Sequence, residues 1–156
     1  MLHRIQTYYL IIVIIVQSIS AIGMEFFRFK TETQEFVITS MGITEFDENG
    51  AIVDSSIVPL FIGFVAMALL AFLCIRSYKD TERQFKLGRT IFYLYFVGVL
   101  TMYLMSIFGD AFIGLKDSKR EVGMAYWLFI AGFPFSFLAN TSIKRDKKIL
   151  DSLKRL

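Results

Sequence analysis

Few residues in this chain are suited to chemistry, and their spacing offers little. His3 is the only histidine and Cys74 the only cysteine. One thiol forms neither a disulfide within the chain nor the paired cysteines of a quinone-linked thiol oxidoreductase. Haem held between helices needs axial side chains such as histidine, and His3, at the terminus, reads as solvated or interfacial. Glu45, Asp47, Glu48 and Asp54 are carboxylates that could hold Ca²⁺ weakly, but they lack the D-x-D-x-D-G spacing and read as a solvated acidic face. Arg83, Lys86 and Arg89 could meet a lipid substrate, yet no His–carboxylate pair accompanies them. The expectation is no catalytic residue, no metal and no cofactor.

Composition points to a membrane. Of 156 residues, 55% are hydrophobic, and the mean hydropathy is +0.56, both too high for an ordinary soluble domain. Seventeen Phe and seven Tyr suit lipid-facing and interfacial positions. The net charge of +3 is mild and no basic patch is laced with stacking aromatics, so nucleic acid is not expected as a partner.

Apolar runs place four spans, at about 5–24, 57–75, 91–109 and 122–143. The first has a rival reading as a cleavable signal peptide, with Arg4, a short apolar core and the small residues of Ser18-Ile19-Ser20-Ala21. As a retained helix, it offers Gln17, Ser18 and Ser20 for helix–helix contacts, as Gly63, Ala66 and Ala71 do in the second span. Pro134 should kink the fourth span, with Gly132 easing the bend. None of the four spans contains Asp, Glu, Lys, Arg or His, which disfavours a proton-coupled transporter.

Between the first two spans, residues 25–56 carry two cations against seven carboxylates. Phe27, Phe29 and Thr31 alternate with charged residues, as in a strand. Asn49-Gly50 predicts a two-residue hairpin that sets Phe46 opposite Val53. Three or four antiparallel strands are expected there, resting on the helix ends; a partly ordered loop is the alternative. Residues 110–121 read as a short neutral connection.

Two segments are basic. Residues 76–90 read as a cytoplasmic loop carrying Arg76, Lys79, Arg83, Lys86 and Arg89. Residues 144–156 read either as a basic amphipathic helix on an anionic leaflet or as the charged end of a membrane helix, with Lys144, Arg145, Lys147, Lys148, Lys154 and Arg155. With Arg4, these segments put twelve Lys and Arg on one side against five on the other. That bias predicts a multi-pass protein of a bacterial inner membrane with both termini cytoplasmic. The expected fold is an all-α membrane protein, a four-transmembrane-helix bundle with a small antiparallel β-sheet in the loop between helices 1 and 2.

The two ends carry a resemblance. The run Arg4-Ile5-Gln6-Thr7 leads into the first apolar stretch, and Ile143, Asp146, Ser152, Arg155 and Leu156 fit a closing pattern in register. Together they resemble a bacterial membrane family, domain of unknown function 4293, found in Bacteroidota. His3 replaces the usual Gln, and Lys147 stands where the family carries an acid. The resemblance implies four helices in an inner membrane and no assigned activity.

Three roles remain open from these residues. One is a non-enzymatic accessory, assembly or scaffold subunit, contacting the anionic inner leaflet and either another membrane protein, a larger complex or a second copy of itself. Another is a small oligomeric channel or transporter, with Gln17, Thr101, Ser106, Asn140 and Thr141 lining a path between copies. The weakest is a lipid-acting membrane enzyme.

Overall fold

A computed structural model describes residues 5–115 and 118–153. The elements run α1 (Ile5–Ala21), β1 (Glu25–Lys30), β2 (Gln34–Thr39), β3 (Gly42–Asp47), β4 (Ile52–Ile57), α2 (Phe61–Arg76), α3 (Thr81–Ile113), β5 (Lys119–Val122) and α4 (Met124–Leu153). Helix α1 packs on α2 and α4, and α3 packs closely on α4 and more loosely on α2. The five strands form one antiparallel sheet in the order β4-β3-β2-β1-β5, at the end where α1 and α3 finish and α2 and α4 begin.

This architecture corrects the all-α, four-transmembrane-helix expectation. Among the described residues, one helix, α3, is long and apolar enough to cross a membrane. Helices α1 and α2 hold 17 and 16 residues, against the roughly 20 that a bilayer core requires. Flanking apolar residues had lengthened both expected spans, but they are not helical. Ile22–Met24 turn into the sheet, Ile57 closes β4, and Val58–Leu60 link it to α2. In α4, Pro134, Ser136 and Asn140 dilute the apolar half, and the basic segment from Lys144 continues the same helix. The helix runs unbroken through Pro134.

The basic segment 76–90 is mostly helix rather than loop. Arg76 ends α2, and α3 starts five residues later. Asp80 begins it by accepting the backbone N–H groups of Glu82 and Arg83 at 3.1 and 3.0 Å, which satisfies two of the unpaired donors of the first turn. Helix α3 then runs 33 residues, about 50 Å, to a left-handed Gly114.

The sheet has one strand more than residues 25–56 supply. Strand β5, which begins in the segment read as a short neutral connection, pairs with β1 and makes it an interior strand. The Asn49-Gly50 turn is also longer than expected. Glu45 pairs with Asp54 and Phe46 with Ile52 across a bulge, while Gly50 (φ 74) closes the turn under an Asp47 N–H to Ala51 carbonyl bond of 2.9 Å. The extra residue shifts Val53 out of register with Phe46.

Strand β1 fixes the sheet to the helices. A register shift between Glu25 and Phe27 turns both Phe26 and Phe27 inward, and Phe29 joins them. Phe26 stacks on Phe64 of α2 at 5.4 Å, and Phe27 meets Tyr126 of α4 at 5.3 Å. The rings continue down the helix interior from Phe64 to Phe129, Tyr95 and Phe133. Tyr95 donates its hydroxyl to the Phe129 carbonyl at 2.8 Å. Gly132 makes room for it, since a Cβ there would overlap the Tyr95 hydroxyl and sit 2.8 Å from Val16 Cγ1. On the outer side of β1, Arg28 pairs with both Glu25 and Glu35. The hydrogen bond to Glu25 is the main influence holding its guanidinium above the usual range, against the opposing effect of burial.

Ser40 is the second tie. It is fully buried between β2 and β3. Its hydroxyl accepts the Gly23 N–H at 2.9 Å and donates to the Ala21 carbonyl at 3.2 Å, closing the end of α1. Its carbonyl accepts the Phe61 N–H at 2.8 Å, opening α2. Ser40→Ala therefore leaves the part-buried Gly23 N–H and Ala21 carbonyl without this partner and should cost about 1–3 kcal/mol, read as a lowered midpoint in thermal unfolding. Gly132→Ala should lower it as well, by about 1–3 kcal/mol through overpacking against Tyr95; an unchanged midpoint for both contradicts these contacts.

Candidate functional site

Charge divides the molecule end from end. The sheet end holds all three ion pairs among the described residues, Arg28 with Glu25 and Glu35 and Lys30 with Glu121. The opposite end gathers Arg76, Lys79, Arg83, Lys86 and Arg89 from α2, the α2–α3 turn and α3 with Lys144, Arg145, Lys147 and Lys148 from α4. None of these nine is in an ion pair among the described residues. Four carboxylates accompany them, Asp80, Glu82, Asp146 and Asp151, leaving an excess of five positive charges. Lys154 and Arg155 lie outside the described residues.

Two basic segments some sixty residues apart thus meet in space. An open cleft of about 560 Å³ lies where they meet, lined by Phe85 of α3 and by Lys144, Lys147, Lys148, Asp151 and Ser152 of α4. The α4 residues recur at i, i+3, i+4, i+7 and i+8, which is one helix face. The Phe85 ring carries the Lys147 ammonium 4.9 Å from its centre and the Arg89 guanidinium at 5.9 Å. Ring-face attraction of this kind positions cations without neutralising them. Ser152 donates to the Ile149 carbonyl at 2.7 Å.

The cleft is held by close helix packing beneath it. At Gly88, one turn beyond Phe85, a Cβ would fall 2.7 Å from Ile143 Cδ1. Beside it, Gln6 of α1 donates to Gln84 Oε1 at 3.3 Å, and Cys74 donates to the Gln84 carbonyl at 3.5 Å. These polar groups are buried, and the Gln6 and Asn140 side-chain oxygens have no protein partner.

Other sequence-derived candidates fall elsewhere. Gln17 and Ser20 are buried in the helix interior, where Gln17 points its amide at Met67 Sδ 3.9 Å away, whereas Ser18 is exposed. Gly63 and Ala66 are exposed and line an apolar groove between α2 and α3. Of the residues considered for a pore, Thr101 lies on the outer surface, its hydroxyl bonded to the Val97 carbonyl, and Thr141 is also exposed. Gln17 and Asn140 lie on the inner side of their helices, so these groups do not share one face. Among the described residues no three His, Cys, Asp or Glu side chains converge as a metal site.

Sequence reasoning missed Phe85, Asp151 and Ser152 as parts of one cleft. The available signal was the i,i+4 spacing of Phe85 and Arg89 within a basic stretch, matched by the helical recurrence of Lys144, Lys147, Lys148 and Asp151.

Residues 2–156 match the family described as Domain of unknown function (DUF4293), and the chain belongs to it. No curated protein matches the chain.

Gly88→Leu should force α3 away from Ile143 and open the cleft. The expected loss is about 1–3 kcal/mol, seen in thermal unfolding, with faster reaction of the buried Cys74 thiol with a maleimide. Unaltered Cys74 reactivity would show that this packing does not set the cleft.

Proposed function

We infer that this protein is a non-enzymatic accessory or assembly subunit seated in a lipid bilayer, with α3 as its crossing helix. The observation that carries this reading is how little of α3 the protein itself covers. Only 11% of its most apolar stretch is buried. The core helix of a soluble domain would be enclosed, and a signal sequence would lie near the N-terminus; α3 is neither. Leu94, Val97, Leu100, Leu104, Ile107 and Phe108 all face outward, and an apolar surface of that extent calls for an apolar surrounding. Ile11 and Ile15 of α1 and Ile62, Val65, Leu69 and Phe72 of α2 are also exposed and apolar.

The cationic end then sits at the cytoplasmic face, because Lys and Arg near the ends of membrane helices are retained there. The sheet reaches out on the other side. Its strand β4 is an edge with all six residues exposed, including Ile52, Val53 and Ile57. An open edge offers unpaired backbone donors and acceptors to a partner strand. The exposed β4 edge and the cationic end are both contact surfaces, which supports an assembly role.

Two measurements test this reading. The full chain should stay in the membrane pellet after alkaline carbonate extraction; release to the supernatant contradicts the bilayer assignment. A photo-crosslinking residue in place of Val53 should give one discrete protein adduct in native membranes. Purification as a lone, adduct-free monomer under every mild detergent contradicts the assembly role.

A further inference from the structure

The geometry points to the cleft between α3 and α4 as a binding site for the phosphate of an anionic phospholipid. This deepens the bilayer reading and rests on it. Lys144, Lys147 and Lys148 present three ammonium groups from one helix face, and Asp151 offsets one of them, so the cleft keeps an excess of two positive charges. Lys147 is held over the Phe85 ring rather than by a carboxylate, and Arg89, outside the cleft lining, lies near the same ring. The Lys147 donors are therefore left for a ligand of opposite charge. A phosphate diester supplies that charge in compact form, and basic pockets between helices at a cytoplasmic interface suit such headgroups. Asp151 at the rim is placed to accept a hydroxyl or ammonium of the headgroup beyond the phosphate.

What lies next to the cleft argues for a lipid over a free phosphate. Two helical turns from Phe85 stands Phe92, and two turns from Lys144 stands Phe137. Their rings meet at 5.9 Å, and Phe92 also stacks on Phe133 at 5.8 Å. Phe137 and neighbouring Tyr93 are exposed. An aromatic strip along the α3–α4 seam thus lies two helical turns from the charged cleft. A headgroup in the cleft has its acyl chains on that strip; a water-soluble phosphate would leave the strip uncovered.

The test uses the full chain in neutral detergent and counts retained lipids by native mass spectrometry. Phosphatidylglycerol is compared with phosphatidylcholine of the same acyl chains. The wild type should retain phosphatidylglycerol preferentially. The triple variant Lys144→Gln/Lys147→Gln/Lys148→Gln should lose the preference, by about fivefold for each lysine removed, with helix content unchanged by circular dichroism. Arg76→Gln/Lys79→Gln, which removes two cations of the same end but outside the cleft, should keep it. Equal retention of the two lipids by the wild type overturns the proposal, as does a preference that survives the triple variant or vanishes equally in Arg76→Gln/Lys79→Gln. Displacement of the bound lipid by excess glycerol 3-phosphate would overturn the choice of a lipid ligand. These failures are separable from failure of the bilayer reading: a carbonate-resistant protein without lipid preference loses only this site, whereas carbonate release removes the reading beneath it.

Discussion

The outward face of α3 is the constraint from which the remaining features follow. On the bilayer reading we propose, an apolar helix about 50 Å long that is packed on one side and bare on the other lies in an apolar solvent. Given that solvent, polar groups must be confined to the two ends or satisfied inside. The helix interior obeys this rule in part. It is filled by a run of aromatic rings from Phe26 to Phe133, and the Tyr95 hydroxyl is bonded to backbone. The side-chain amides of Gln6 and Gln17 each reach another side chain, but the side-chain oxygens of Gln6, Gln17, Ser20 and Asn140 have no partner among the described residues.

The ends differ in sign and in kind. At the sheet end, the Arg28 clamp and the Lys30–Glu121 pair hold ion pairs within the protein, while Glu45, Asp47, Glu48 and Asp54 are in none among the described residues. The sheet does not float, because the three phenylalanines of β1 insert between helix ends and Ser40 joins α1 to α2 through both side chain and backbone. A small sheet would be marginal alone, and here its stability is borrowed from the helices. At the other end, none of the nine cations is in an ion pair among the described residues, and the packing of Gly88 on Ile143 brings the two basic segments together.

Much of this was legible in the residues. The alternation of Phe27 and Phe29 gave β1, and the acidic loop and basic segments gave the polarity. What failed was length. Apolar content alone does not distinguish a helical residue from an apolar residue in a strand or turn, so Ile22 and Ile57 were counted into spans that stop short of them. Strand β5 was hidden because four charged and apolar residues, Lys119–Val122, become a strand only by pairing with β1. That pairing is a tertiary fact with no local signal. The bulge at Glu45–Phe46 shifted a hairpin whose turn residues were correctly located. The cleft was visible only as two separate basic stretches; its unity depends on antiparallel packing of α3 against α4.

The arrangement of the two ends about α3 is the claim most directly open to test. In a Cys74→Ser background, Asn49→Cys and Lys79→Cys place single exposed thiols at the sheet end and the cationic end. A membrane-impermeant maleimide added to intact cells should label the first and reach the second only after lysis. Labelling of both thiols from the same side would contradict a crossing α3 and the account built on it.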